Sequence, residues 1–231
     1  MKPTAGDVLR SLLFYAVFYC GTVLCVLAAF FSLPFGKVFF RWTVDLWAKY
    51  HRLCVNCILG IKVEVKGELP REGSLVAVKH ESFFEAIDMP VLIRHPAVFA
   101  KVELMRIPLW GWLAGIYGLV AVERAKGAKT LRAMLAAAKA RQAEGRTLVI
   151  FPEGTRVPHG NVAPLQSGFA GLYKLLRLPV VPVAVNSGPL YHRRWKRKGT
   201  ITVQAGEPIP PGLPREEIEQ RVQAAINALN A

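Results

Sequence analysis

Apolar and polar positions change their rhythm twice along this chain. From Ser11 to Gly36 there is no charged residue, and Leu12 to Leu33 is almost wholly apolar. A run of about 20 such residues suffices to cross a hydrocarbon core. Pro34 and Gly36 break it. From Lys37 to Leu59 the apolar residues Val38, Phe39, Trp42, Leu46, Tyr50, Leu53 and Cys57 recur at helical spacing, with Lys37, Arg41, Asp45, Lys49 and Arg52 on other faces. That pattern predicts a second helix, amphipathic, which either lies in a membrane interface or serves as a core helix of the following domain.

Beyond Ile61 the rhythm shortens. Apolar runs predict strands over 61–65, 75–78, 97–100, 118–122, 148–151, 180–185 and 200–204. Between them, mixed segments predict helices over 83–93, 129–143 and 165–178, and Pro214 with Glu216 and Glu217 opens a last one. Strands alternating with helices predict an α/β fold, a largely parallel sheet flanked by helices. The chain divides into N-terminal membrane-embedded and amphipathic helices over 1–59 and an α/β domain over 60–231.

Composition adds a destination. The 231 residues are 52% hydrophobic, and 30 Lys+Arg stand against 16 Asp+Glu, a formal charge of +14; the mean hydropathy is +0.29. Apolar and basic character together favour a phospholipid membrane surface, since an anionic leaflet attracts each nearby cation by about 1 kcal/mol. Nucleic acid would account for the charge but not for the apolar excess, so no nucleic-acid partner is expected. The basic run His192 to Lys198 reads as a solvated loop, a Trp-bearing lip on anionic headgroups, or a dock for an acidic carrier protein. Cys54 and Cys57 have metal-like spacing with His51 nearby, but no second pair completes a zinc set, so small apolar helix residues are the expected reading.

Two motifs carry chemistry. His80-Glu81-Ser82-Phe83-Phe84-Glu85 follows the run Leu75 to Val78, and Phe151-Pro152-Glu153-Gly154-Thr155-Arg156 ends the run from Thr147. Five residues along a helix turn through about 140°, so His80 and Glu85 meet only if His80 sits in the loop before the helix. A carboxylate on one imidazole nitrogen then fixes the tautomer and raises the basicity of the other. Asp88 is the rival partner. In the second motif Pro152 stops a strand, Gly154 permits a tight turn, and Arg156 offers a planar fork for phosphate beside the Thr155 hydroxyl. Glu153 is placed to orient that arginine or bind a hydroxyl.

These blocks, with Gly118 to Arg124 and Val180 to Gly188, occur in an order that resembles the glycerolipid acyltransferase family, most closely its bacterial 1-acyl-glycerol-3-phosphate acyltransferases, over about residues 60 to 210. The family's first block ends in Asp where this chain has Glu85. The resemblance implies that His80 is the general base and Glu85 its orienting acid. It implies that Lys101, Arg124, Glu153, Gly154, Thr155 and Arg156 bind the acceptor's phosphate. The reaction so implied moves a fatty acyl group from acyl-CoA or acyl-carrier protein to the sn-2 hydroxyl of lysophosphatidic acid, giving phosphatidic acid, with no metal and no resident cofactor. The expected place is the inner membrane, facing the cytoplasm, where acyl thioesters are found. Other readings are a different lyso-lipid acceptor such as lyso-ornithine lipid, a thioester hydrolase, and a non-catalytic membrane-anchored lipid-binding protein.

Overall fold

The computed structural model describes residues 2–70, 72–123 and 127–230. It opens with two long helices, α1 (Ala5–Ser32) and α2 (Lys37–Cys57), joined by a short 3-10 turn at Leu33–Phe35. A capping box starts α1: the Thr4 hydroxyl accepts the Asp7 amide and the Asp7 carboxylate accepts the Thr4 amide. Gly21 lets the hairpin close, because a Cβ there would collide with the Tyr50 ring. Tyr50 Oη also donates to the Val17 carbonyl at 2.6 Å, and Trp47 Nε1 to Thr22 Oγ1 at 3.1 Å.

The remainder is a seven-stranded sheet with helices on its faces. Its strands are β1 (Ile61–Lys66), β2 (Leu75–Val78), β3 (Ala97–Lys101), β4 (Val120–Val122), β5 (Leu148–Ile150), β6 (Val180–Val185) and β7 (Gly199–Ala205), in the order β1-β7-β6-β2-β5-β3-β4. All pairings are parallel except β6 with β7. Every residue of β2, β5 and β6 is buried, as expected for strands covered on both faces. Helices α3 (Phe84–Leu92), α4 (Trp110–Tyr117), α5 (Gly127–Ala143), α6 (Ser167–Leu176), α7 (Gly188–Tyr191) and α8 (Arg215–Ile226) complete the chain. The hydrophobic pattern predicts neither α4 nor α7. The first is apolar around most of its circumference, and the second is a single turn.

The hairpin shares its core with the sheet. Phe14, Phe18, Cys54 and Val55 belong to one apolar cluster with Val76, Val78 and Phe84. The stripe read along α2 is not the buried face, however. Phe40, Thr43, Ala48, His51, Cys54 and Val55 turn inward, while Phe39, Trp42, Leu46 and Leu53 are exposed and Val38 is 83% exposed. On α1 the neighbouring Leu9, Leu13, Leu24 and Phe31 are also exposed. The helix from Ala5 to Phe35 is long and apolar enough to cross a membrane, and only 17% of its most apolar window is buried. An apolar face this extended marks a surface built for apolar surroundings, so α1 is a candidate membrane anchor.

Candidate active site

Strand β2 ends at Val78, and His80 lies in the loop that follows, before α3 begins at Phe84. That loop before the helix brings residues five apart together. His80 Nδ1 is 3.0 Å from Glu85 Oε1. The same oxygen accepts the amides of Glu81 and Ser82, each at 2.6 Å, and Oε2 accepts the hydroxyls of Ser82 (2.9 Å) and Ser187 (2.7 Å). Burial alone would push the Glu85 carboxyl up. The hydrogen bond and charge of His80, with the Ser82 amide and Ser187 hydroxyl, outweigh it and hold the group below its ordinary range. An ionised acceptor at Nδ1 selects the Nδ1–H tautomer, which leaves the Nε2 lone pair free to take a proton. Ser187 belongs to the fourth block of the sequence, but nothing local marks it as a partner of Glu85; the fold brings it there from 102 residues away.

Asp88 faces elsewhere. Its oxygens accept both Nε (2.8 Å) and Nη2 of Arg52 on α2, so it ties α3 to the hairpin rather than holding His80. A second imidazole–carboxylate pair lies beside the first: His159 Nδ1 is 2.9 Å from Glu81 Oε1, whose other oxygen accepts the Gly188 amide at 2.7 Å. Sequence spacing gave no sign of it.

The second motif forms a turn after β5. The Gly154 amide donates to the Phe151 carbonyl at 2.9 Å, and Gly154 has φ 68°, a conformation that suits glycine. The ring of Phe151 packs on His80, centroids 4.4 Å apart. Thr155 and Arg156 are exposed, and the Arg156 guanidinium lies 4.2 Å over the Phe83 ring. Glu153 is instead buried and points inward. Its carboxylate is engaged by Lys79 Nζ (2.7 Å) and by the His80 amide (3.2 Å), so in this structure it contacts neither Arg156 nor the exposed rim. Lys101 closes β3, exposed, in register with Val122. Arg124 lies outside the described residues.

His80, Lys101, Gly154 and Arg156 line one cavity of about 930 Å³. It is walled largely by apolar side chains from across the molecule, among them Phe18, Val26, Trp47, Leu113 and Phe169. Lys196 also lines it, and among the described residues no carboxylate does. Such a space accepts a long apolar body with an anionic head. The basic run folds back on the start of α1: the Lys196 amide donates to Ser11 Oγ (2.8 Å), and Tyr15 Oη to the Arg194 carbonyl (2.6 Å). His51 bonds Tyr191 Oη through Nε2 at 2.9 Å, and all four cysteines are free, Cys54 buried and Cys57 exposed.

A family model described as acyltransferase matches residues 60–186. A 1-acyl-sn-glycerol-3-phosphate acyltransferase of Pseudomonas aeruginosa is 27% identical over 226 residues, 95% of this chain and 86% of that protein. A lyso-ornithine lipid O-acyltransferase of the same organism is 33% identical over 197 residues, 76% of this chain and 74% of that protein. The crystal structure of the 1-acyl-sn-glycerophosphate (LPA) acyltransferase PlsC from Thermotoga maritima shares the fold, with a TM-score of 0.72 at 24% identity over 97% of this chain and 96% of that one. By the extent of the family match and by these relatives, the chain belongs to the acyltransferase family.

Proposed function

We propose that the protein acylates the sn-2 hydroxyl of 1-acyl-glycerol-3-phosphate, using an acyl thioester carried by coenzyme A or acyl-carrier protein. The observation that carries this reading is that His80, ordered by Glu85, and Arg156 front one apolar cavity whose charged lining, among the described residues, is basic. His80 Nε2 takes the acceptor's hydroxyl proton as the oxygen attacks the thioester carbonyl. The tetrahedral intermediate collapses, the C–S bond breaks, and the leaving thiolate takes the proton back from the imidazolium. An ester and a free thiol result, and the steps balance with the two substrates and protein groups alone. Glu85 holds the Nδ1–H and stabilises the cation that forms. Arg156, Lys101, Thr155 and the Gly154 turn grip the phosphate, and Arg124 is assigned to the same function.

Residues 1–59 serve as the anchor and 60–231 as the catalytic domain. The exposed apolar side chains of α1 and α2 enter the bilayer while acceptor and product exchange with it, on the cytoplasmic face of the inner membrane where acyl thioesters are made. A lyso-ornithine lipid acceptor is the second reading, favoured by the 33% identity to that relative; the basic cavity lining favours the phosphate. Acyl transfer by the purified protein in detergent, with each acceptor and each donor, tests both. Phosphatidic acid from wild type and none from His80→Ala is expected. Transfer to lyso-ornithine lipid alone would replace the acceptor, and thioester loss without any acceptor would make the protein a hydrolase.

A further inference from the structure

The residue before the proposed base is a fully buried lysine. Burying an ammonium costs several kcal/mol unless its donors are satisfied, and at Lys79 they are. Nζ donates to Glu153 Oε1 at 2.7 Å, to Asn227 Oδ1 at 2.7 Å and to the Asn161 carbonyl at 3.1 Å. Glu153 is thereby fixed, and its other oxygen accepts the His80 amide at 3.2 Å. From the opposite side, the His80 carbonyl accepts the Val157 amide at 2.7 Å. The main chain of the base is therefore held on both sides by the loop of the second motif, and the acid of that loop is set in place by Lys79.

The third anchor comes from the end of the chain. Asn227 caps the C-terminus of α8, 148 residues from Lys79. Its Nδ2 donates to the Gln223 carbonyl at 2.7 Å. Asn230 Nδ2 donates to Asn227 Oδ1 at 2.7 Å and to the Asn161 carbonyl at 3.1 Å, and its Oδ1 accepts the Gly160 amide at 3.3 Å. Lys79, Glu153 and Asn227 do not line the cavity. Their donors and acceptors are spent on each other, on Asn230, on the Gln223 carbonyl of α8 and on the backbone of the catalytic loop.

We infer that Lys79 and Asn227 are positioning residues for acyl transfer, and that the C-terminal turn after α8 belongs to the machinery that places His80. The kinetic part of this inference rests on the proposed role of His80; the structural part does not. A base displaced by a fraction of an ångström loses rate without losing substrate affinity, which gives the inference its signature.

The test uses the full chain in detergent with Asn227→Leu, Asn227→Asp and Lys79→Met. Aspartate keeps the acceptor for Lys79 Nζ and leucine removes it. Asn227→Leu should lower kcat by about tenfold with both KM values within about twofold, and amide exchange at residues 79–85 should speed up. Asn227→Asp should restore kcat and protection, while Lys79→Met should show the larger loss in both. Wild-type kcat in the folded leucine variant would overturn the inference. So would a loss that tracks the melting temperature alone, with no rescue by aspartate. Should wild type prove inactive with every acceptor, the functional reading fails and the exchange measurement still decides: unchanged protection at residues 79–85 in Asn227→Leu and Lys79→Met overturns the inference.

Discussion

The Arg156 guanidinium stacks on the Phe83 ring, its central carbon 4.2 Å from the ring centroid. Phe83 belongs to the motif of the proposed base and Arg156 to the motif of the proposed clamp. The stack therefore joins the two at the mouth of the cavity they both line. A guanidinium held by its face keeps its N–H edges free for a phosphate. Lysine preserves the charge but neither the fork nor the stack. Arg156→Lys should raise the acceptor KM by about tenfold, equivalent to about 1.4 kcal/mol, and leave the donor KM unchanged in steady-state kinetics. Phe83→Leu should have the same effect at smaller size.

Glu85→Gln should cut kcat by about two to four orders of magnitude, because an amide neither enforces the Nδ1–H tautomer nor stabilises the imidazolium. Stability should respond too. The Glu85 carboxyl is held below its ordinary value of 4.5, so its ionised form stabilises the fold above that pH and the contribution is lost as pH falls through the lower folded value. Thermal melts between pH 3 and 7 should show wild type losing more stability on the acid side than Glu85→Gln.

Asp88 separates structural from catalytic acids. Burial pushes its carboxyl up and the Arg52 pair only partly offsets this, so the ion pair is a lock between α2 and α3. Asp88→Asn should destabilise the protein by about 3 kcal/mol, since it leaves the guanidinium without its counter-charge, yet the folded enzyme should keep near wild-type kcat. A folded but inactive Asp88→Asn would make Asp88 the partner that matters to His80.

Lys196 is 7% exposed, with Nζ 3.8 Å over the Tyr191 ring and hydrogen-bonded to the Tyr191 carbonyl. Burial pushes its pKa down from 10.5 to about 8. The folded state thus resists protonation of this amine: the cost is full below about pH 8 and is relieved as pH rises toward 10.5. Melting temperature should climb across that window in wild type and stay flatter in Lys196→Met.

The exposed apolar face of α1 and α2 should bind lipid. Trp42→Asp and Leu24→Asp together should release the protein from sedimenting anionic vesicles while leaving the His80–Glu85 end of the molecule folded, as read by circular dichroism. Vesicle binding unaffected by both charges would mean that this face has another occupant.

The sequence by itself determined the elements whose pattern is local. The continuous apolar runs of β2, β5 and β6 predict strands, and the fold covers them on both faces. The uncharged stretch before Pro34 predicts a long apolar helix, and the proline and acids at 214–217 mark a helix start. The loop position of His80 also followed, because a continuous helix would turn Glu85 away from it. Tertiary structure decided what depends on residues far apart. The antiparallel direction of β7 is set by its neighbour β6, not by its own composition. The direction of α2 was settled by competition between two apolar faces, in which the one carrying Phe40, Ala48 and Val55 packed inward and the Trp42 stripe stayed open. Glu85 and Asp88 are equivalent acids on paper; Ser187 and Arg52, remote in the chain, gave them different tasks. Glu153 reads as an exposed clamp residue in its motif and is a buried anchor in the fold, because Lys79 and the His80 amide draw its charge inward. Periodicity reports which face of a segment is apolar. Which polar group meets which is fixed only when burial makes every unpaired donor and acceptor costly.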